Sequence, residues 1–515
     1  MLILAALLAQ VAPQARDPLD ERAQDVLLYD IRLDVDVERG RIEGEVGYRI
    51  RAHRPLDHVR LDARPPAPPS WQLAFLDGQG HALEARWQGE SVDVALGGEV
   101  KAGDEVRLVA TFAGQPPGGF AFADNRYGER LAFTDHYSIR AHGWLPCVDD
   151  PADRACFRTH LTYPAKLMAL ASGAPAARGG SEPPPEGRST LERETTSDIP
   201  PYMYAIVVGP FAEVRESGDP RLLPHLIYRQ DVAAAKPALV HHAAWLHTME
   251  ETFGPYAYGT YRVVQCPTRW GGFEAPGNVQ LSERLFEGPD QGVGTLAHEL
   301  THMWFGDAVG YAQWREVWLS EGFASYFGPW LHAQTGGPPL ADTMRRLREA
   351  WRRSADGRTK SVRWDGFKHP DFALNANTYP KGAWVLHMLR GELGEAAFFA
   401  AVRAYYREFA GRAITTADFV QAVEQATGKD LGWFFSQWLD QPNCPELEVE
   451  DDGETVLVRQ TQRQPPYRFH LRLGYVDGEG KERDVVGEIA EREARIRVGP
   501  HRDLQLDPRV ELLFR

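Results

Sequence analysis

The strongest constraint on the fold is a change in the spacing of apolar residues along the chain. From Asp30 the sequence reads DIRLDVDVERGRIEGEVGYRI, in which apolar residues alternate with charged ones on both sides of ERG. A period of two is typical of half-buried strands, so this stretch predicts a β-hairpin. Similar alternation continues to about residue 211, broken by the polar loop ARGGSEPPPEGRST. We therefore expect a mostly β domain over residues 16–211.

The spacing becomes helical after VVGPFAEV. Two long stretches, AAAKPALVHHAAWLHTMEETFG and KGAWVLHMLRGELGEAAFFAAVRAYYREFAG, carry apolar residues three and four apart, which predicts helices. Period-two alternation returns at CPELEVEDDGETVLVRQ. The sequence thus predicts an α+β multidomain protein with a mostly helical middle domain at 212–440 and a small C-terminal β-sandwich at 441–515. A chain of 515 residues is too long for one core, which agrees with this division.

Charge and the first residues limit where the protein can act. The formal net charge of −15 argues against nucleic-acid binding, which requires clustered Lys and Arg. The apolar segment MLILAALLAQVAPQA at residues 1–15 is too short to span a bilayer but has the length of a signal-peptide core. We expect no stable membrane insertion. We expect export to the periplasm or the extracellular space if residues 1–15 act as a signal peptide, and a cytoplasmic location otherwise.

The four cysteines do not form a metal-binding motif. Cys147, Cys156, Cys266 and Cys444 include no C-x-x-C pair, so a cysteine zinc site is not expected. An even number permits disulfides in an oxidising compartment. It equally suits four small buried residues, which is the interpretation we favour.

The stretch AHELTHMWFGD, residues 297–307, places His298 and His302 four residues apart, with Glu299 next to the first. On a helix these two histidines lie on one face, about one turn apart, so both imidazoles can reach a single zinc ion. Glu299 lies one step around the helix, where it can reach a water on the metal without binding the metal. The alternative is two surface histidines and a solvated glutamate.

A catalytic zinc ion needs a third protein ligand and one open position. Where metzincins have a third histidine, this chain has Ala308. Further on, REVWLSEGFASYF places Glu321 among large apolar residues, with eighteen residues between it and His302. A carboxylate in so apolar a setting is costly unless a cation pairs with it. His298, His302 and Glu321 therefore predict one Zn²⁺ per chain, held by a His₂Glu set.

Together these motifs resemble the M1 family of zinc aminopeptidases. H-E-x-x-H followed after eighteen residues by Glu within W-L-x-E-G-F-A is similar to the family's zinc motif, and WLPCVDDPADRACF and YPKGAWVLHML resemble two further family segments. The resemblance implies an N-terminal β-domain, a thermolysin-like catalytic domain and a small β-sandwich. Larger family members add a C-terminal helical domain over the active site. We expect this chain to lack it and to have a more open cleft.

The resemblance also implies catalytic roles. Glu299 would act as the general base and then as the general acid, and Tyr379 would donate a hydrogen bond to the oxyanion. A phenol suits that role because it is a neutral donor at neutral pH. Lys381, in the same segment as Tyr379, is expected to be a solvated helix residue.

The stretch GGFEAPGNV falls on the family's G-x-M-E-N segment, so Gly271, Gly272, Phe273 and Glu274 are expected to bind substrate. Glu274 would hold the free α-amine through a charge-assisted hydrogen bond, which would restrict cleavage to the first residue. Two positions depart from the family pattern. Ala275 replaces its asparagine, which removes a polar contact, and Phe273 replaces its methionine, which reshapes the pocket for the first side chain.

Upstream, FTDHYSIRAHGWLPC departs from the family's T-Q-x-E/Q pattern. Asp135 and Tyr137 occupy the places of two residues that contact substrate in the family. Asp135 is therefore a candidate second anchor for the substrate amine.

The predicted function is a zinc-dependent aminopeptidase acting on peptides with free N-termini. Alternatives are a zinc endopeptidase or epoxide hydrolase of the same fold, or a non-catalytic peptide-binding relative. The presence of Glu274 favours an aminopeptidase over an endopeptidase, and an epoxide hydrolase would need a lipid tunnel. An intact zinc set disfavours a non-catalytic protein. The sequence determines neither the preferred first residue nor the oligomeric state, for which we expect a monomer.

Overall fold

A computed structural model of the chain describes residues 22–176, 183–287 and 292–515. The apolar segment at residues 1–15 and part of the polar loop before residue 183 lie outside these ranges, so the signal peptide stays a prediction. Within the described ranges, no helix is both long and apolar enough to cross a membrane.

The first part of the chain consists of β-strands, as predicted. Seven strands form one sheet in the order β12-β13-β10-β1-β2-β7-β4, and two smaller sheets have the orders β3-β6-β5 and β11-β14-β9-β8. Their bounds are β1 Gln24–Asp36, β2 Arg41–Ala52, β3 Leu56–Asp62, β4 Trp71–Asp77, β5 Ala85–Gln88, β6 Ser91–Val100, β7 Glu105–Gly114, β8 Phe120–Asp124, β9 Arg130–Thr134, β10 Cys156–Pro164, β11 Met168–Ala171, β12 Ala174–Pro175, β13 Arg188–Glu194 and β14 Ile206–Gly209. The predicted hairpin is β1–β2, in which Ile31 lies opposite Val46.

The middle part contains a sheet in addition to its helices. Five strands run in the order β15-β16-β17-β19-β18, with β16, β17 and β19 parallel and β18 antiparallel at the edge. Their bounds are β15 Phe211–Val214, β16 His225–Tyr228, β17 Arg262–Cys266, β18 Gly272–Phe273 and β19 Asn278–Ser282. Every residue of β16 and β17 is buried, so no alternation marks these strands in the sequence.

Two helices lie between β16 and β17 in the chain, and the other helices follow the sheet. Their bounds are α1 Val232–Ala235, α2 His242–Thr252, α3 Val293–His302, α4 Trp318–Gln334, α5 Leu340–Arg353, α6 Asp356–Thr359, α7 Gly382–Leu393, α8 Glu395–Phe409, α9 Thr416–Thr427 and α10 Gly432–Phe435, with a two-stranded sheet of β20 Val309–Tyr311 and β21 Arg412–Ile414. Both long predicted helices are divided. Pro237 lies in the break between α1 and α2, where its ring disfavours a continuous helix. Gly394, at φ +79°, separates α7 from α8.

Two helices of this part meet at a pair of glycines. A Cβ added to Gly322 in α4 would lie 2.9 Å from the Cα of Gly382 at the start of α7, and the reverse holds equally. The backbones of α4 and α7 therefore touch without an intervening side chain. This contact fixes the position of Glu321, next to Gly322, relative to the turn that precedes α7.

The last part of the chain returns to β-structure. Its strands form two three-stranded sheets, in the orders β22-β23-β26 and β25-β24-β27. The bounds are β22 Leu447–Asp451, β23 Thr455–Gln460, β24 Phe469–Asp477, β25 Glu482–Ile489, β26 Glu493–Arg497 and β27 His501–Leu506. Arg348 of α5 joins this part to the helices through Asp507 and the Leu512 carbonyl. Sandwich packing of the two sheets stays a prediction.

All four cysteines lie in the described ranges and are free thiols. Cys147, Cys266 and Cys444 are buried, and Cys156 is half-buried. The favoured interpretation, four small buried residues, therefore holds for Cys147, Cys266 and Cys444 and not for Cys156.

Candidate active site

The three predicted zinc ligands converge on one point. Helix α3 presents His298 and His302, whose Nε2 atoms lie 3.1 Å apart, and α4 packs against it with Glu321 facing them. Glu321 Oε2 lies 3.3 Å from Nε2 of His298 and 3.5 Å from Nε2 of His302. This oxygen is buried and has no hydrogen-bond partner among the described residues. Two imidazole nitrogens and a buried, unsatisfied carboxylate oxygen are a donor set that suits zinc.

Contacts behind His302 determine which ring nitrogen can bind a metal. Its Nδ1 lies 3.2 Å from the carbonyl oxygen of Phe305 and 3.0 Å from Oγ of Ser320. Because a carbonyl can only accept, Nδ1 carries a ring proton, which leaves Nε2, on the side of Glu321, as the nitrogen that can bind a metal. Ser320 was not among the site residues predicted from the sequence. Its place directly before Glu321 was the available signal.

The electrostatics at this point favour a cation. Burial alone would lower the pKa of His302, but the carboxylates of Glu274 and Glu321 raise it to about 10. Burial alone would raise the pKa of Glu321, but the two histidines lower it to about 2. Positive charge is therefore stabilised where a metal would lie.

Glu299 lies beside the three ligands without joining them. Its side chain is buried, and its Oε2 has no hydrogen-bond partner among the described residues. A Cβ on Gly272 of β18 would lie 2.1 Å from Oε1 of Glu299, so the strand approaches the carboxylate as closely as a glycine permits. Burial raises the pKa of Glu299 well above its usual value, and the nearby Glu274 and Glu321 charges also raise it. This carboxylate can hold a proton readily.

Glu274, directly after β18, completes an anionic wall. It is only 5% exposed, and its carboxylate lies with Glu299 and His302 in a group whose ligand atoms are all within 4.8 Å of one another. Burial raises the pKa of Glu274. A cationic group that entered the cleft here would therefore find a desolvated carboxylate next to the candidate metal site.

Tyr379 lies on the other side of the ligands, in a π-helical turn at Asn377–Lys381 that leads into α7. Its hydroxyl donates to Oε1 of Glu321 at 2.8 Å, and its ring lies parallel to that of His298 at 6.3 Å. Burial raises the pKa of Tyr379 well above its usual value. The phenol is therefore a neutral donor next to the candidate metal site.

The ligands, Glu299, Glu274 and Tyr379 share a cleft of about 470 Å³. One part of its remaining wall is aromatic and glycine-rich, formed by Tyr137, Trp270, Gly271, Gly272 and Phe273. The ring of Tyr137 meets those of Trp270 and Phe273 edge-on at 5.6 Å and 6.3 Å. Its hydroxyl is buried without a hydrogen-bond partner among the described residues. The structure thus places Tyr137 in the cleft, as the family resemblance of the sequence implied.

Asp135 differs from Tyr137. Its carboxylate forms an ion pair with Arg269, which lies next to Trp270 in the chain, and Asp135 is not among the residues that line the cleft. The structure therefore does not bring Asp135 together with Glu274. Its partner was not evident in the sequence, because 134 positions separate the two residues.

A second group of potential ligands consists of Glu216, His225 and His242. His225 Nδ1 accepts a hydrogen bond from the N–H of Val263 at 3.1 Å, so its ring proton lies on Nε2, 3.3 Å from Glu216. His242 Nδ1 lies 2.7 Å from the same Glu216 oxygen. A protonated ring nitrogen cannot bind a metal. This group is therefore a buried hydrogen-bonded cluster and does not fit a metal ion.

Comparisons with known proteins cover both the β-rich first part and the helical part. The model of the peptidase family M1 domain matches residues 238–438, and that of the peptidase M1 N-terminal domain matches residues 26–203. The two matches include the candidate ligands, Glu274, Tyr379 and Tyr137. Together they span well over half of the chain.

Individual relatives agree with these matches. The chain is 26% identical over 490 residues to aminopeptidase M1-B of Oryza sativa subsp. japonica, which covers 89% of this chain and 54% of that protein. It is 26% identical over 469 residues to aminopeptidase N of Streptomyces lividans, covering 80% and 52% of the two chains. The chain spans about half the length of the curated relatives it matches.

A solved structure is also similar. It is the crystal structure of a mutant M1 zinc metallopeptidase from Deinococcus radiodurans, with a TM-score of 0.69 and 25% sequence identity. The alignment covers 84% of this chain and 99% of that one. The β-rich first part and the helical middle part thus occur together in a protein of similar architecture.

Proposed function

The chain belongs to peptidase family M1, and from this premise we propose that it is a zinc-dependent aminopeptidase that removes the first residue of peptides with a free N-terminus. One observation supports this proposal above the others. The buried carboxylate of Glu274 lies within 4.8 Å of the ligand atoms of His302 and Glu299, next to the point where the candidate zinc ligands converge. An exopeptidase needs an anion at that distance, because the α-amine is only one residue from the bond to be cleaved.

His298, His302 and Glu321 would hold a single zinc ion. When bound there, zinc would supply Lewis acidity that polarises a peptide carbonyl and lowers the pKa of water. The tautomer of His302 fixed by Phe305 suits this role. A count of one zinc per chain is supported by the hydrogen bonds of the Glu216 cluster, which leave His225 without a free nitrogen toward Glu216.

Glu299 would move the proton. Its unpartnered Oε2 can accept a proton from the attacking water, and its raised pKa suits a group that must hold that proton and then release it to the leaving amine. The close approach of Gly272 keeps this carboxylate in one position. The carboxylate would thus serve as base in the first half of the reaction and as acid in the second.

Tyr379 would stabilise the oxyanion. Its hydroxyl donates to Glu321 in this structure, and a donor in that position can be redirected to an oxygen on which negative charge develops. Tyr137, Trp270 and Phe273 would surround the first side chain of the substrate. Asp135 is engaged by Arg269, so we assign the amine to Glu274 alone.

The alternatives are less well supported. An endopeptidase has no use for a buried carboxylate at the position of Glu274. A non-catalytic binding protein has no need for His298, His302, Glu321, Glu299 and Tyr379 to converge in one cleft. Export of the protein, its monomeric state and the peptides that it meets in the cell stay predictions.

The test is a panel of fluorogenic aminoacyl substrates, each paired with its N-acetylated twin, on purified protein. We expect hydrolysis of the free-amine members only, loss of activity with a chelator, and recovery when zinc is restored. Efficient cleavage of the acetylated twins would support the endopeptidase alternative instead. No hydrolysis by protein shown to contain zinc would contradict the proposed activity.

A further inference from the structure

We infer that Lys381 is a positioning residue, which holds Tyr379 in place by tying its turn to the chain segment 441–443. This inference rests on the proposed role of Tyr379 as oxyanion donor. The sequence predicted a solvated Lys381, and that prediction is wrong, because its side chain is fully buried. Lys381 lies two residues after Tyr379 in the same π-helical turn, Asn377–Lys381.

The ammonium group of Lys381 binds main-chain carbonyls. Its Nζ donates to the carbonyl oxygens of Gln441 at 3.0 Å and Asn443 at 2.9 Å. It also lies 5.9 Å from the ring centre of Trp351. Among the described residues, no carboxylate lies within ion-pair distance of it; the charge of Asp440, which pairs with Arg363, acts on it only from farther away. Both hydrogen bonds thus lead from the turn of Tyr379 to the segment that enters the C-terminal sheets.

Burying the ammonium group of Lys381 costs free energy that filling space alone would not require. A buried ammonium without a counter-ion loses its hydration, and burial accordingly lowers the pKa of Lys381 to about 8. A methionine of similar length would fill the space without that cost. A lysine at this position is therefore explained by its two hydrogen bonds, which a methionine could not form. These bonds connect two segments that lie 60 positions apart in the chain.

The other end of the turn is also fixed. Asn377 accepts a hydrogen bond from the indole N–H of Trp351 at 2.8 Å and donates to the carbonyls of Asp356 and Lys360. The turn is therefore held on both sides of Tyr379, by side-chain hydrogen bonds that leave the Tyr379 hydroxyl directed at Glu321. An oxyanion donor needs its ring held at a fixed position, from which the hydroxyl can turn to the oxyanion, because its contribution falls steeply when it is misplaced.

A double-mutant cycle tests the inference. Lys381→Met should lower kcat by 10- to 100-fold, with KM changed less than about threefold and zinc content unchanged, since it removes the two donors and keeps the length of the side chain. In a Tyr379→Phe background the same substitution should lower kcat by less than about threefold. Equal losses in both backgrounds, or a loss of zinc, would overturn the inference and indicate general damage to the fold.

The cycle separates this inference from the proposed function. If Tyr379→Phe alone keeps the native kcat, the role of Tyr379 is wrong. If Tyr379→Phe is impaired and Lys381→Met is not, only the positioning role is wrong. Lys429→Met is the matched control, because that exposed lysine also donates to a main-chain carbonyl, that of Glu392 at 2.8 Å. It should leave kcat within about twofold of the native value.

A second pair of variants approaches the same contact from its acceptor side, in case Lys381→Met does not fold. Asn443 has a φ of +71°, a conformation that glycine adopts freely and a β-branched residue resists. Asn443→Val should displace the carbonyl that Lys381 binds and lower kcat at least fivefold, whereas Asn443→Gly should retain most activity. Native activity in a folded Asn443→Val protein would contradict the inference.

Discussion

Gly272 lies so close to Glu299 that a Cβ on the glycine would stand 2.1 Å from the carboxylate Oε1. The contact joins the edge strand β18 to helix α3, and thus the substrate-binding stretch to the proposed general base. Gly271, its neighbour, has no atom within 4 Å of the corresponding Cβ position. Of these two adjacent residues, only Gly272 has to be a glycine, because only there would a side chain collide with another residue.

We expect Gly272→Ala to lower kcat by at least tenfold while zinc content stays native, because the added methyl group must displace the Glu299 carboxylate. Steady-state kinetics and metal analysis on the same preparation measure both quantities. Gly391→Ala in α7 is the control, because an added Cβ there meets no atom within 4 Å and the residue lies outside the cleft, and it should remain within about twofold of the native rate. Equal activity of the two variants would show that Glu299 tolerates displacement.

Glu299→Gln should keep zinc and fold but lose at least 100-fold in turnover, the typical contribution of a general base. The amide keeps the shape of the side chain next to Gly272 and removes its ability to accept a proton. Metal analysis and kcat measured on one sample decide the matter. Near-native turnover would rule out Glu299 as the base.

Glu274→Gln should weaken cleavage of free-amine substrates roughly 100-fold in kcat/KM, since it replaces a charge-assisted hydrogen bond by a neutral one. The measurement is kcat/KM for one dipeptide substrate and its N-acetylated form, with native and variant protein. We expect the ratio of kcat/KM for the free-amine substrate to kcat/KM for the acetylated substrate to be smaller in the variant than in the native protein. An equal loss of kcat/KM for both substrates would show that Glu274 does not recognise the amine.

Ser320→Ala should weaken zinc binding by about 10- to 100-fold, because Ser320 helps to orient the His302 ring from behind. Competition with a fluorescent zinc chelator measures this affinity without reference to activity. Thr301→Val serves as the control, since the Thr301 hydroxyl donates to the Ala297 carbonyl within α3 and contacts no ligand. Native zinc affinity in Ser320→Ala would mean that the Phe305 carbonyl orients His302 unaided.

His387 should make the protein less stable in mild acid. It is half-buried, with Nε2 donating to the Val510 carbonyl at 2.8 Å, and desolvation lowers its pKa from 6.5 to about 4. Because the unfolded chain then binds the proton more readily, this contribution to stability is present above pH 6.5 and is lost as pH falls toward 4.

His387→Gln should therefore lose less unfolding free energy than the native protein between pH 7 and pH 5, by roughly 2 kcal/mol. Urea unfolding at both pH values measures the difference. His247→Gln, at an exposed histidine, should change the pH dependence little. An unchanged slope in His387→Gln would show that other buried groups carry the acid sensitivity.

The sequence predicted the metal ligands well for a physical reason. The positions i and i+4 on one helix fix the geometry of His298 and His302 regardless of the rest of the fold. Glu321 was identified by its apolar surroundings, which make a lone carboxylate costly. The β-rich first part was equally predictable, because one face of each half-buried strand is exposed and leaves an alternating pattern.

Contacts between distant segments could not be read in this way. The burial of Lys381 depends on carbonyls 60 positions later, and the pairing of Asp135 depends on Arg269. The central sheet was hidden because strands buried on both faces carry no alternation. The orienting role of Ser320 and the requirement for glycine at 272 are likewise properties of the folded protein.

The glycine pair at Gly322 and Gly382 offers a way to recognise inactive relatives. No side chain separates the two backbones, so evolution cannot adjust the distance between Glu321 and the turn of Tyr379 in small steps, as it can where residues of graded size lie between helices. Even a methyl group at either position would stand 2.9 Å from the opposing Cα. A relative that keeps all three ligands but carries a larger residue at either glycine is therefore expected to bind zinc and yet turn over poorly. Such sequences would be misread by any search that considers the ligands alone.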